Sequence, residues 1–140
     1  MAVKGLSKVL KDLEKFGREA DKGTEIVTKA VSMDIVADAK SFARKDFGKL
    51  AQSIIYTKVA DSDYKVIVNA PYGPYVEFGT GKTVKVPAEL KEIAIQFKGA
   101  GVKEVNLQPR PFLYPAFVKG RIQYVKDLKH LLTTLTKKYD

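Results

Sequence analysis

The chain has 140 residues, 45% hydrophobic and 29% charged, a balance that buries one core and no second, so one domain spanning residues 1–140 is expected. No apolar run is long enough to cross a bilayer and the N-terminus lacks a hydrophobic signal core, which points to synthesis in the cytosol and to no membrane partner. The absence of cysteine excludes disulfides and thiolate metal sites, and a net charge of +9 favours polyanions or acidic protein surfaces as partners without naming one.

In chain order, Leu6, Val9, Leu10, Leu13 and Phe16 recur at helical spacing, and Gly17 is placed to end this first helix. Lys4, Lys8, Lys11 and Lys15 share the opposite side, a stripe suited to DNA or an acidic partner, although plain solvation is the default for such a face. A second helix spans about residues 24 to 44. It is apolar on two sides, with Ile26, Ala30, Met33 and Ala37 on one face and Val27, Val31, Ile35 and Phe42 on another. Cover on both sides follows, from the first helix and a sheet or from a neighbouring copy. Asp34 and Asp38 sit one turn apart, but no further acidic ligand converges to complete a cation site.

From Ser53 the period changes to two. Ile54, Tyr56 and Lys58 alternate with their neighbours, ADSD turns, and Tyr64, Val66 and Val68 alternate again, which predicts an antiparallel hairpin. Pro71 and Pro74 break the pairing. A short strand is expected at YVEF (Tyr75, Val76, Glu77, Phe78), turning at Gly79 and Gly81, with TVKV pairing back on it. The GTGKT that ends this stretch looks like a phosphate-binding loop, yet Val76 stands where the first glycine of that loop belongs, and the extended TVKV ending at Pro87 replaces its helix. Nucleotide binding is therefore rejected.

Pro87 opens a third helix carrying Leu90, Ile93, Ala94 and Phe97, with Gly99 beyond its end. The last helix bears the apolar stripe Val118, Ile122, Val125, Leu128, Leu132 and Leu135, while Lys119, Lys126, His130 and Lys137 lie away from it. His130, the sole histidine, falls among lysines and has no orienting partner, so it makes a weak general base. Glu77, set among aromatics and glycines, is the carboxylate best placed for acid or base work, or for pairing with an arginine or with turn amides. An ion pair between Glu77 and Arg110, each the single charge in its motif, would tie the sheet to the last helix.

Two blocks, YGPYVEFGTG (residues 72–81) and RPFLYPAF (residues 110–117), resemble the signature of the gene-product-ten-like head-tail joining and tail-completion proteins of long-tailed phages. The motif positions are Tyr75, Val76, Glu77, Phe78, Gly79, Thr80 and Gly81 in the first, and Arg110, Pro111, Phe112, Leu113, Pro115 and Ala116 in the second. The resemblance implies an α+β fold, a small antiparallel sheet packed against an N-terminal helix pair and a long C-terminal helix. It also implies a structural, non-enzymatic virion protein without cofactor or metal. Copies would form a ring at the neck, complete the tail and join it to the head. The partners implied are further copies, a tail-tube or tail-terminating protein, a head connector or stopper protein, and the DNA that threads the ring. Lys4, Lys8, Lys11, Lys15, Lys119 and Lys126 would then face DNA or an acidic partner. The alternative is a basic nucleic-acid-binding module gripping phosphate backbones, though lysine bias and few arginines argue against base reading. A hydrolase built on Glu77 would need a second acid or base that the sequence does not show.

Overall fold

The computed structural model describes residues 5–43, 48–81, 84–95 and 107–140. Its longest element, α1 (Leu6–Phe42), is an unbroken helix of 37 residues, about 55 Å at the standard rise. Gly17 therefore does not end a helix, and the expected N-terminal pair is one rod. A single glycine costs only about 1 kcal/mol against alanine in a helix interior. The helix is anchored beside it: Phe16 packs edge-on against Tyr139 at 5.8 Å, and Glu19 accepts a 2.7 Å bond from Lys138.

A single turn, α2 (Gly48–Gln52), leads into the hairpin of β1 (Ile54–Ala60) and β2 (Asp63–Val68). The strands pair antiparallel in the register Ile54 with Val68 and Tyr56 with Val66, and the ladder is irregular between Lys58 and Ala60. At the tip Ser62 takes a positive φ of 57°. One face of the hairpin, with Ile54, Tyr56, Val66 and Val68, joins the core, while Ile55 and Val59 face outward.

The expected strand at YVEF is instead a helix, α3 (Gly73–Phe78). Four alternating residues fit either element, and Pro74 in the first turn, where no amide hydrogen is needed, favours the helix. Val84 to Pro87 forms no strand either, holding the preceding segment by one bond from the Lys85 amide to the Phe78 carbonyl. After Pro87 a 3-10 turn (Ala88–Leu90) runs into α4 (Lys91–Ile95), so the third helix starts where expected, whereas Phe97 and Gly99 lie outside the described residues.

The chain closes with α5 (Leu113–Lys138), antiparallel to α1. The α+β architecture is the expected one, with α5 rather than a separate N-terminal helix as the main partner of α1. The core gathers Val31, Ile35, Val36 and Ala39 of α1 with Leu50, Ile54, Val76, Phe112 and Ala116. Thr24, Thr28 and Ser32 line the same side of α1 and bond the carbonyls four residues back, which lets hydroxyls sit at a helix contact without loss. Thr28 also meets the Tyr124 hydroxyl across the seam at 3.0 Å.

The side of α5 that meets α1 carries Ala116, Gly120, Tyr124, Leu131 and Leu135, and of these Leu135 belongs to the stripe expected from the sequence. Gly120 decides this choice of face: a Cβ there would lie 2.3 Å from Ile35 Cγ1, so the two helices approach through the missing side chain. Half of the expected stripe lies outside, with Ile122 at 55%, Val125 at 45% and Leu132 at 58% exposure, while Val118 and Leu128 are half-buried. The second face of α1 is bare as well: Ile26 is 68% and Met33 48% exposed, so among the described residues neither the sheet nor another helix covers it. Phe42 too is exposed.

Candidate functional site

The two motif blocks meet in space. Pro74 starts α3, which presents Val76 and Glu77 inward and leaves Tyr75 at the surface. The helix stops at Gly79, whose amide bonds the Tyr75 carbonyl at 2.9 Å and whose φ is 77°. A side chain at this position would meet the Leu107 carbonyl oxygen at 2.6 Å, so glycine is required both by angle and by contact. Thr80 then clasps Leu107 twice, through its amide and its hydroxyl, at 3.0 and 2.8 Å. The Arg110 amide bonds the Val76 carbonyl at 2.8 Å, which brings the second block alongside the first.

Glu77 closes the junction. Its side chain is buried, and one carboxylate oxygen accepts the amides of Phe112 and Leu113 at 2.9 Å each while the other accepts that of Tyr114 at 2.8 Å. A helix start leaves its first amides without intrahelical partners, and Phe112 offers no capping side chain to meet them. Pro115 removes one such donor because it has none, and Glu77 takes the adjacent ones from a different element. The carboxylate also faces the positive end of the α5 dipole. Phe112 and Ala116, packed to 1% and 0% exposure, seat that helix start in the core.

The expected Glu77–Arg110 ion pair is therefore corrected. Glu77 spends both oxygens on backbone donors, and the Arg110 side chain is exposed, with no ion pair to Glu77 among the described residues. The tie from the first block to the last helix exists, carried by amides instead. Of the remaining motif positions, Phe78, Leu113 and Pro115 are half-buried, and Pro111 and Gly81 are exposed.

An apolar cavity of about 490 Å³ opens beside the junction, walled by Val66, Phe78, Leu90, Ile93, Leu113 and Phe117. Its two buried polar residues are already engaged, Glu77 by the three amides and Ser32 by the Thr28 carbonyl. Neither is left to orient or activate a substrate.

A second carboxylate hub escaped the sequence reading. Glu25 on α1 holds the hairpin tip by accepting from Lys58 Nζ at 2.8 Å, from the Ser62 amide and from the Tyr64 hydroxyl. Its carboxyl is pulled down to about 2, chiefly by the bond from Lys58 and then by Tyr64 and Ser62. The matching bond raises Lys58 and Tyr64. No residue near Glu25 in sequence announces the contact, since all three donors are more than thirty positions away.

The described lysines of the two expected stripes do not converge on this junction. Lys8, Lys11, Lys15 and Lys126 are exposed, Lys119 pairs with Asp38 at 3.2 Å, and Lys4 lies outside the described residues. Asp38 is thereby committed to a cation from the chain itself, and among the described residues no group of three or more metal-ligating side chains gathers. His130 is exposed. No described helix is long and apolar enough to cross a membrane.

No curated protein and no solved structure is detectably similar to this chain. A family model does match, described as "Bacteriophage HK97-gp10, putative tail-component", over residues 7–79. The match runs from the start of α1 through the hairpin and α3 to the glycine that ends it, and so includes Glu77 but stops before the second motif block. It covers more than half of the 140 residues, and on that ground the chain belongs to the HK97-gp10-like family of bacteriophage tail components.

Proposed function

We propose that this protein is a structural virion subunit that forms a ring at the phage neck, completing the tail and joining it to the head. The whole chain acts as one assembly domain, without cofactor or catalytic centre. Its partners are further copies, the tail-tube or tail-terminating protein on one side and the head connector or stopper protein on the other, with DNA passing through. The observation that carries the reading is the pair of uncovered apolar faces, Ile26 and Met33 on α1 and Ile122, Val125 and Leu132 on α5, each 45% to 68% exposed. Isolated apolar residues at a surface are ordinary, whereas runs at helical spacing on two long helices are what a subunit interface needs. Membership in a family of tail components supports the same reading, as does the junction, whose buried carboxylate is spent on the fold.

The test is the mass of the purified protein by light scattering, alone at several concentrations and then with isolated tails. A closed ring, or a monomer that tails convert to a stable complex, supports the proposal. A monomer indifferent to tails but retained by duplex DNA, with affinity falling steeply as salt rises, overturns it in favour of a phosphate-gripping module.

A further inference from the structure

The seam between α1 and α5 runs on after α5 has ended. Along α1 the seam positions fall at heptad-type steps of seven and four, with Phe16 against Tyr139, Gly23 against Leu131, and Val27 packed on the core. Continued toward the N-terminus, the same spacing passes through Leu13, Val9 and Leu6. The Phe16–Tyr139 contact closes the paired part, so the first ten residues of α1, about 15 Å of helix, project beyond it. Leu6, Val9, Leu10 and Leu13 are 53%, 54%, 53% and 61% exposed there. Charges beside this bare seam are acidic: Asp12 lies three residues after Val9 and Glu14 four after Leu10, while Lys8, Lys11 and Lys15 fall on the reverse side.

The uncovered stripe of α5 has the opposite sign. Ile122, Val125 and Leu132 span about 15 Å; Lys129 follows Val125 by one turn on the same face, and Lys126, one turn after Ile122, flanks its edge. The two surfaces match in length and in apolar character and are complementary in charge.

We infer that the projecting start of α1 packs onto the outer stripe of α5 in the next copy of the chain. This rests on the ring reading above and supplies its contact. Because the two surfaces differ, the contact is heterologous, so each copy uses one surface to the left and the other to the right, and repetition gives the ring wherever the rotation per copy divides a full turn. Asp12 and Glu14 then meet Lys126 and Lys129, which sets the register, while the leucines supply most of the burial.

The protein has no cysteine, so introduced ones are unique. In the variant carrying both Leu10→Cys and Val125→Cys, oxidation of the assembled protein, at high concentration and on isolated tails, should give a covalent ladder of copies. Leu10→Cys mixed with Val125→Cys should cross-link at least tenfold more than either alone. Leu10→Asp should abolish assembly and leave the thermal midpoint of the single chain unchanged, because the side chain is exposed. If the unmodified protein assembles by mass but the cysteines do not link, this contact is wrong and the ring reading survives. If the protein keeps the mass of one chain both alone and on tails, the ring reading falls and the contact with it.

Discussion

Glu77 and Glu25 are both carboxylates that fasten one element to another, and they do it in opposite settings. Glu77 is buried, and its donors are three backbone amides at the start of α5. Glu25 is half-buried, open to water on one side, and two of its three donors are the side chains Lys58 and Tyr64. Backbone donors cannot swing away without unfolding the element that carries them, whereas a lysine can exchange its partner for water at little cost. The first anchor is therefore part of the global fold, and the second is a local latch on the hairpin tip.

The comparison breaks most readily at Glu77. Glu77→Ala leaves three amides near the core without their acceptor and should cost roughly 3–5 kcal/mol, a large share of the ~5–15 kcal/mol that holds a domain together. Chemical denaturation measures it directly. Glu77→Gln keeps the shape and one acceptor oxygen but loses the charge at the helix start, and should cost about half as much. Equal losses would mean that charge and not hydrogen-bond number is what α5 requires.

Much of this was legible from the sequence, and the failures are local. The hairpin at residues 54–68 shows in a period of two, and the long last helix in its spacing. Glu77 stands out as the one charge in its block, and bonding to turn amides is among the roles its surroundings suggest. Which donors it takes does not follow, because Arg110 and the amides of Phe112 to Tyr114 lie at nearly the same sequence distance, and only the close packing of α3 on the α5 start decides between them. The face of α5 is misjudged because the seam is built on Ala116 and Gly120, small residues that apolar counting passes over. Gly17 misleads in the other direction: glycine permits a helix end without imposing one. Glu25 gives no signal, since a helical glutamate among charged neighbours looks the same in sequence with or without a distant hairpin above it.

If α5 is held at its start by Glu77 and along its length by close packing, loosening the seam alone should cost less than removing the carboxylate. Gly120→Val places a branched side chain where a Cβ already meets Ile35 at 2.3 Å, and should destabilise by about 1–3 kcal/mol through overpacking. Adding Ile35→Ala opens the space, and the double variant should recover part of that loss in a double-mutant cycle.

The latch at Glu25 is sharpened by pH. Its folded carboxyl is lowered from 4.5 to about 2, so its contribution is fully present above pH 4.5 and disappears as the pH falls from there through 2. Amide exchange at Ser62 should speed up across that window, beyond the intrinsic pH dependence of exchange, while the amides of Phe112 to Tyr114 stay protected for as long as the fold survives. Glu25→Gln should exchange fast at Ser62 at every pH. A wild-type tip that opens only together with α5 would show one cooperative unit and erase the distinction between anchor and latch.

The smallest effect is expected at Arg110, and it bears on the same distinction. Arg110 enters the junction through its backbone, whose amide bonds the Val76 carbonyl, while its side chain lies in solvent. Arg110→Ala should therefore change stability by no more than about 0.5 kcal/mol. Arg110→Glu should do little more, since the donors that satisfy Glu77 remain in place and water screens the new charge. Reversal at both sites, Glu77→Arg with Arg110→Glu, should show no rescue relative to Glu77→Arg alone, because an arginine cannot accept hydrogen bonds from amides. A coupling energy above ~1 kcal/mol in that cycle would restore the ion pair and demote the amide anchor. A side chain placed in a motif yet silent in stability is free for another task, and loss of assembly in an Arg110→Ala protein of unchanged stability would locate that task on a neighbouring virion protein.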